Sequence, residues 1–220
     1  MTARRYASVI LDVDSTLSRI EGIEWLAARR GPAMLREITA VTERAMKGEI
    51  PLESIFAERL ARIRPTRAEI AALGEAYVEG MTPGAADVCA RLMDAGIRAV
   101  ILSGGLRQAI LPLAGALDIA AEDVHAVDIR FDDDGEYVSF DASSPLARSG
   151  GKPIVARALD LERPLIAIGD GATDLELRTV APPAVDTFVA FTGVATRPPV
   201  VAAADHVAGA LTDLLDIVLP

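Results

Sequence analysis

Three short stretches of the chain are almost wholly apolar and then stop at a polar side chain. They are YASVILD (6–12), ending on Asp12, IRAVILS (97–103), ending on Ser103, and PLIAIGD (164–170), ending on Asp170. Each is short, rich in β-branched residues and flanked by helical patterns, which predicts strands buried on both faces of a parallel sheet. TFVAF (187–191) predicts a further strand. TPGAADVCARLMDAG (82–96) has proline near its start and glycine just past its end, the punctuation of a helix, with Val88, Cys89, Leu92 and Met93 as its apolar face. Helix and strand alternate through the second half. The expected architecture is α/β, a doubly wound, Rossmann-like parallel sheet whose ligands sit at the carboxyl ends of the strands.

Between the first two strands the pattern changes to amphipathic helices, in GPAMLREITAVTERAMKG (31–48), PLESIFAERLARI (51–63) and TRAEIAALGEAYVEG (66–80). A single crossover helix needs far fewer residues. The segment 17–80 therefore predicts a small helical cap inserted into a core made of 1–16 and 81–220, covering the strand ends. VDIRFDDDGEYVSFD (127–141) alternates apolar and polar residues around Asp134-Gly135 and predicts a β-hairpin. There are no internal repeats, low-complexity tracts or long linkers.

Composition narrows the function. The 220 residues are 51% hydrophobic but only 4% aromatic, so the core is built from Ala, Val, Leu and Ile. A net charge of −10 argues against a nucleic-acid partner and requires any anionic substrate to be met by local positive charge or a cation. The single cysteine, Cys89, excludes an internal disulfide and Cys-based zinc motifs, and its apolar helix face makes it an inert buried thiol. Asp12 interrupts the only apolar run near the N-terminus and no stretch approaches a membrane span. The expectation is a cytoplasmic protein with no membrane or nucleic-acid partner; the sequence leaves the oligomeric state open, a homodimer included.

The polar strand ends carry the chemistry. A buried strand that runs into Asp12-Val13-Asp14 and then Ser-Thr is either a strand closed by a turn or a site that uses two carboxylates. A parallel sheet would set Asp12, Ser103 and Asp170 at one edge. SGGKP (149–153) adds Lys152 at a helix start, after two glycines that allow close backbone approach. Carboxylates, a hydroxyl, a lysine and glycine-rich turns in one crevice are the parts of a metal-assisted phosphate site. A phosphate dianion repels a carboxylate, so Mg²⁺ would bridge them, held by the Asp12 and Asp170 carboxylates and the Asp14 carbonyl. Asp12 could then attack phosphorus, and Asp14, two residues on along a strand, would share its side and serve as general acid and base. Lys152 and Ser103 would hold the phosphoryl oxygens.

In chain order, DVDST, ILSGG, SGGK and GDGATD resemble the four motifs of the haloacid-dehalogenase superfamily of phosphotransferases. The likeness extends over roughly 5 to 215 and reaches the phosphoserine phosphatase family, through Glu21 in RIEGIEWLA, the cap segment VTERAMKGEIPLESIFAERL (41–60) and GEYVSFDASSPLARSGGK (135–152). The resemblance implies Asp12 as nucleophile and Asp14 as general acid/base, with Asp12, Asp14 and Asp170 as ligands of Mg²⁺. It implies Ser103, Gly104 and Lys152 as phosphate-binding positions, and Gly171, Thr173 and Asp174 as the loop supporting metal and product. In the cap it implies Glu21 for a substrate ammonium, Arg59 for its carboxylate and Met46 packed over the substrate. The implied reaction is hydrolysis of O-phosphoserine through an aspartyl-phosphate, the last step of serine biosynthesis.

Other readings fare worse. GDGATD has Asp174 where a dinucleotide fingerprint needs Gly or Ala, and SGGKP has Pro153 where a P-loop needs Ser or Thr. His125 and His206 are isolated and no G-x-S-x-G occurs, which excludes a Ser-His-Asp hydrolase. A signalling receiver also holds an aspartyl-phosphate with Lys, hydroxyl and Mg²⁺. Against it stand the Asp-x-Asp, the acidic GDGATD loop and the large cap. Within the enzymes, phosphoethanolamine or phosphohomoserine is the alternative substrate.

Overall fold

The computed structural model describes residues 4–46 and 52–219, with side chains at 4–42 and 55–219. In chain order the elements are β1 (Ser8–Leu11), α1 (Gly22–Ala28), α2 (Pro32–Met46), α3 (Leu52–Ile63), α4 (Arg67–Glu79), α5 (Ala85–Asp94), β2 (Arg98–Leu106), α6 (Arg107–Ala116) and β3 (Val124–Val127). There follow β4 (Ile129–Phe131), β5 (Tyr137–Phe140), α7 (Gly151–Ala158), β6 (Leu165–Gly169), α8 (Ala172–Thr179), β7 (Thr187–Phe191), α9 (Pro198–Ala203), β8 (His206–Ala208) and α10 (Asp213–Val218). Six strands form one sheet in the order β3-β2-β1-β6-β7-β8, every pairing parallel. The chain lays down β1, β2 and β3 outward in one direction and then returns to lay β6, β7 and β8 on the other side. The strand order thus reverses between β1 and β6, and a doubly wound sheet opens its ligand crevice at that point.

The strands form because burial on both faces selects their residues. All of β1 and β6 is buried, and β2 is buried from Ala99 to Ser103. Ser103 does not end β2. The strand continues to Leu106, with a register shift against β3 between Leu102 and Leu106. Helix α5 buries Ala85, Val88, Cys89 and Leu92, while Met93 is 37% exposed. The expected face therefore sits one position earlier: the 85–88–92 stripe meets the sheet and Met93 falls on its flank.

Helices α1 to α4 pack against one another, and α4 also packs on α6 of the sheet layer. The Thr66–Glu69 capping box starts α4, and Ile70, Leu73, Gly74 and Tyr77 form its buried stripe. Gly74 permits the α4–α6 approach, because a Cβ there would stand 2.9 Å from the Pro112 ring and 3.2 Å from the Ala109 carbonyl. Arg30, just past α1, donates to the Ile63 carbonyl at 2.9 Å, to the Arg64 carbonyl at 3.1 Å and to Glu69 Oε2 at 2.6 Å, joining the end of α3 to the start of α4. The hairpin β4–β5 lies against the same helices: Phe140 meets Phe56 edge-on at 5.1 Å, and the Arg67 amide donates to the Gly135 carbonyl at 2.8 Å. No helix among the described residues is long and apolar enough to cross a membrane.

Candidate active site

A single pocket at the β1–β6 reversal is lined by Asp12, Asp14, Ser103, Gly104, Lys152, Asp170, Gly171, Thr173 and Asp174, with Glu21 and Arg59 on its helical side. Asp12 follows β1 directly, and its amide donates to the Ile168 carbonyl at 3.1 Å, so the β1–β6 ladder fixes its position. Asp14 reaches the pocket by a different route from the expected strand alternation. β1 ends at Leu11, and the amides of Thr16 and Ser18 both turn back to the Val13 carbonyl, at 3.1 and 3.0 Å. A loop therefore carries Asp14. Its Oδ1 accepts from the Gly22 amide at 2.9 Å and from the Tyr77 hydroxyl at 2.7 Å.

Lys152 is buried and central. Its Nζ lies 2.6 Å from Asp12 Oδ1 and 2.5 Å from Asp174 Oδ1. The preceding Gly150 takes a left-handed φ of +72°, and a Cβ on Gly151 would stand 1.8 Å from the Pro145 carbonyl, so the two glycines are what let α7 begin close enough. Asp174, at the third position of α8, also accepts from the amide of the N-cap residue Gly171 at 3.0 Å, which satisfies that donor at the helix start. On β2, the Ser103 hydroxyl accepts from the Gly105 amide at 2.9 Å.

Carboxylate oxygens of Asp12, Asp170 and Asp174 lie within 4.8 Å of one another, all three residues buried. Hard oxygen donors at that spacing fit a divalent cation such as Mg²⁺ or Ca²⁺. Asp174, expected in a supporting place, thus stands inside the acidic cluster, while the Asp14 carboxylate is turned to Gly22 and Tyr77. Withdrawal from water, then the Asp174 charge, raises Asp12 well above the usual carboxylate range, with Lys152 opposing. Two carboxylates hold Lys152 protonated above the ordinary lysine value despite its burial. Lys152 and Arg197, which pairs with Asp170, together leave one of the three carboxylate charges unbalanced, so the cluster calls for a proton or a metal ion. Burial likewise pushes Asp14 up to about 6, with the Tyr77 and Gly22 hydrogen bonds pulling the other way.

The helical side supplies a cation and a carboxylate. Arg59 is 9% exposed; one of its terminal nitrogens donates to Thr42 Oγ1 at 3.1 Å, and its Nε has no partner among the described residues. Glu21 accepts from the Ser15 hydroxyl at 2.6 Å, and burial followed by the Asp14 charge raises its pKa. Met46 ends α2, but its side chain lies outside the described residues.

Sequence reasoning passed over Arg197 and Arg148 in the pocket and Tyr77 behind it. Arg197 donates to Asp170 Oδ2 at 2.8 Å and stands 3.7 Å from Glu21. Its signal was positional: it follows β7, whose carboxyl end opens on the same crevice. Arg148 also lines the pocket, just before the SGGK turn. Tyr77 was hidden because its position on the α4 stripe reads as core.

A family model of haloacid dehalogenase-like hydrolases matches residues 9–177. The human protein named phosphoserine phosphatase is 36% identical over 213 residues, covering 96% of this chain and 91% of its own length. The chain belongs to the haloacid dehalogenase-like hydrolases, in the phosphoserine phosphatase family. The structure of a phosphoserine phosphohydrolase-like protein from Francisella tularensis superposes on this hydrolase with a TM-score of 0.85 at 30% identity, covering 96% of this chain and 98% of that one. A structure described as a phospho-aspartyl intermediate analogue of phosphoserine phosphatase has a TM-score of 0.74 at 20% identity, covering 96% of this chain and 98% of that one. That more distant likeness bears on the fold. The hydrolase is a phosphatase, on a six-stranded parallel sheet with a separate two-stranded hairpin.

Proposed function

We propose that this phosphatase hydrolyses O-phosphoserine to serine and phosphate, with 17–80 acting as a cap that reads the amino-acid end of the substrate. The observation that carries the reading is the division of the pocket. One wall holds the Asp12–Lys152–Asp170–Asp174 cluster, and the other presents Arg59 and Glu21, a guanidinium and a carboxylate that complement the carboxylate and ammonium of an amino acid. The family's named relatives act in the same sense.

In this reading the Asp12 carboxylate attacks phosphorus, forming the aspartyl O–P bond as the P–O bond to the serine oxygen breaks. Asp14 donates its proton to that departing oxygen. Asp14 then takes a proton from water, whose oxygen attacks phosphorus and releases phosphate, returning Asp12 as a carboxylate. Lys152, Ser103 and the amide of Gly104 hold the phosphoryl oxygens, while Gly171, Thr173 and Asp174 order the facing loop. A Mg²⁺ held by Asp12, Asp170 and the Asp14 carbonyl, with Asp174 beside it, would neutralise the repulsion between the dianion and the nucleophile. A steady-state phosphate-release screen with Mg²⁺ tests the assignment. It should include both enantiomers of phosphoserine, phosphoethanolamine, phosphohomoserine and para-nitrophenyl phosphate. Phosphoserine should give the highest kcat/KM. A higher value for phosphoethanolamine would move the substrate to an amine without a carboxylate, and absence of turnover on every ester would return the site to a phosphate-holding switch.

A further inference from the structure

Asp14 is held by two donors, both on the same oxygen. The Gly22 amide and the Tyr77 hydroxyl meet Oδ1 at 2.9 and 2.7 Å. The other oxygen, Oδ2, faces the phosphate-side turn: a Cβ on Gly105 would lie 3.3 Å from it, and Ser103 Oγ is equally near that point. A neutral carboxyl whose Oδ1 already accepts two hydrogen bonds carries its proton on Oδ2. The two donors therefore decide which oxygen points a proton at the substrate.

Tyr77 is fully buried, and its phenol O–H donates to Asp14. Its ring belongs to the α4 stripe, but its hydroxyl enters the space beside Gly22, where an added Cβ would stand 2.1 Å from the oxygen. Gly22 begins α1 and follows Glu21. Three segments thus converge on one carboxylate oxygen, two of them helices of the expected cap.

We propose that Tyr77 is a positioning residue for proton transfer, orienting Asp14 through Oδ1 so that Oδ2 serves the leaving oxygen, with Gly22 kept free of a side chain to admit the hydroxyl. The proposal rests on the reading of Asp14 as proton donor, and the leaving group separates the two. kcat/KM reports every step through departure of the ester oxygen. The serine alkoxide needs a proton to leave, whereas para-nitrophenolate is a stable anion and does not.

Tyr77→Phe keeps the ring and removes the donor. It should lower kcat/KM for phosphoserine by about ten- to a hundredfold, as for a lost hydrogen bond to the carboxylate that Asp14 becomes as it gives up its proton, and leave para-nitrophenyl phosphate within about twofold. Competitive inhibition by inorganic phosphate should stay unchanged. Gly22→Ala, which evicts the hydroxyl, should reproduce this selective loss, and the double variant should be no worse than either single one. A purely structural role would depress both esters together, and equal losses, or none, for Tyr77→Phe overturn the proposal even if Gly22→Ala does not fold. Asp14→Asn is the companion measurement. If it shows the leaving-group split while Tyr77→Phe does not, the Tyr77 assignment fails and the Asp14 reading stands. If Asp14→Asn shows no split, both fall together.

Discussion

Replacing Lys152 by methionine should cost stability as well as activity, and the two losses separate cleanly. Lys152 is 5% exposed, and its ammonium is the shared partner of Asp12 at 2.6 Å and Asp174 at 2.5 Å. Methionine fills most of the same volume without charge, leaving two buried carboxylates facing each other and Asp170. Two like charges about 4 Å apart repel by roughly 4 kcal/mol at an effective dielectric constant near 20, and removing one member of a buried ion pair typically costs about 3–5 kcal/mol. Since about 1 kcal/mol moves Tm by roughly 2–4 °C in a domain of this size, Lys152→Met should melt about 6–20 °C below wild type in chelator. Removing a second charge should reverse part of this. Asp12→Asn in the Lys152→Met background should regain stability, because the amide relieves the repulsion that methionine exposed. Asp12→Asn alone should change Tm little or raise it. Millimolar Mg²⁺ should raise Tm more for Lys152→Met than for wild type, since the freed carboxylates favour a cation more strongly. Turnover of phosphoserine and of para-nitrophenyl phosphate should fall alike, because Lys152 meets only the phosphoryl end. Scanning calorimetry of wild type and these variants, with and without Mg²⁺, measures all of it. A Lys152→Met protein that melts with wild type in chelator would refute the charge argument.

Arg59→Ala should raise KM for phosphoserine far more than for para-nitrophenyl phosphate, lowering kcat/KM by about ten- to a hundredfold, and Glu21→Gln should spare only esters without an ammonium; equal losses on phosphoserine, phosphoethanolamine and para-nitrophenyl phosphate would show that the cap does not read the amino acid. Chelation should stop turnover and Mg²⁺ restore it better than Ca²⁺, because the larger ion accepts more oxygens and can engage both oxygens of the Asp12 carboxylate; full activity in Ca²⁺, read by phosphate release, would contradict this. Glu69 is lowered to about 2, first by its hydrogen bonds from Arg30, so its contribution is complete above the unfolded value near 4.5 and fades as the pH falls towards 2. Glu69→Gln should accordingly cost about 1–2 kcal/mol at pH 7 in urea denaturation, with the gap from wild type closing below pH 4.5; a gap that widens in acid would be the wrong sign.

How much of this was legible in the sequence depends on what positions each residue. Asp12, Ser103 and Asp170 are set by the sheet itself. A run of buried β-branched residues predicts a strand, adjacent parallel strands share an edge, and the polar residue ending each run must stand at that edge. Ser103 reaches its place even though β2 runs on to Leu106, because the register shift after Leu102 interrupts the ladder there. Lys152 was legible through Gly150-Gly151, of which the first takes a left-handed φ and the second an approach too close for a side chain. Asp14 arrived in the pocket for a reason other than strand periodicity, namely the turn that folds back to the Val13 carbonyl.

Arg197 and Tyr77 were not legible, and for opposite reasons. Arg197 sits in a loop, where no periodicity says which way a side chain points; only the topology of the finished sheet brings the end of β7 to the crevice. Tyr77 sits where periodicity is strongest, on the stripe with Ile70, Leu73 and Gly74, and so reads as packing. Yet a tyrosine on a fully buried stripe differs from a phenylalanine in one respect: its hydroxyl must find a partner out of water, at a cost of about 1–3 kcal/mol if it does not. The sequence therefore holds a question at position 77 that the apolar pattern cannot answer. Only the fold brings Asp14 and a side-chain-free Gly22 to the same point in space, and there the need of the buried phenol for an acceptor and the need of the carboxylate for an orienting donor are met by a single hydrogen bond.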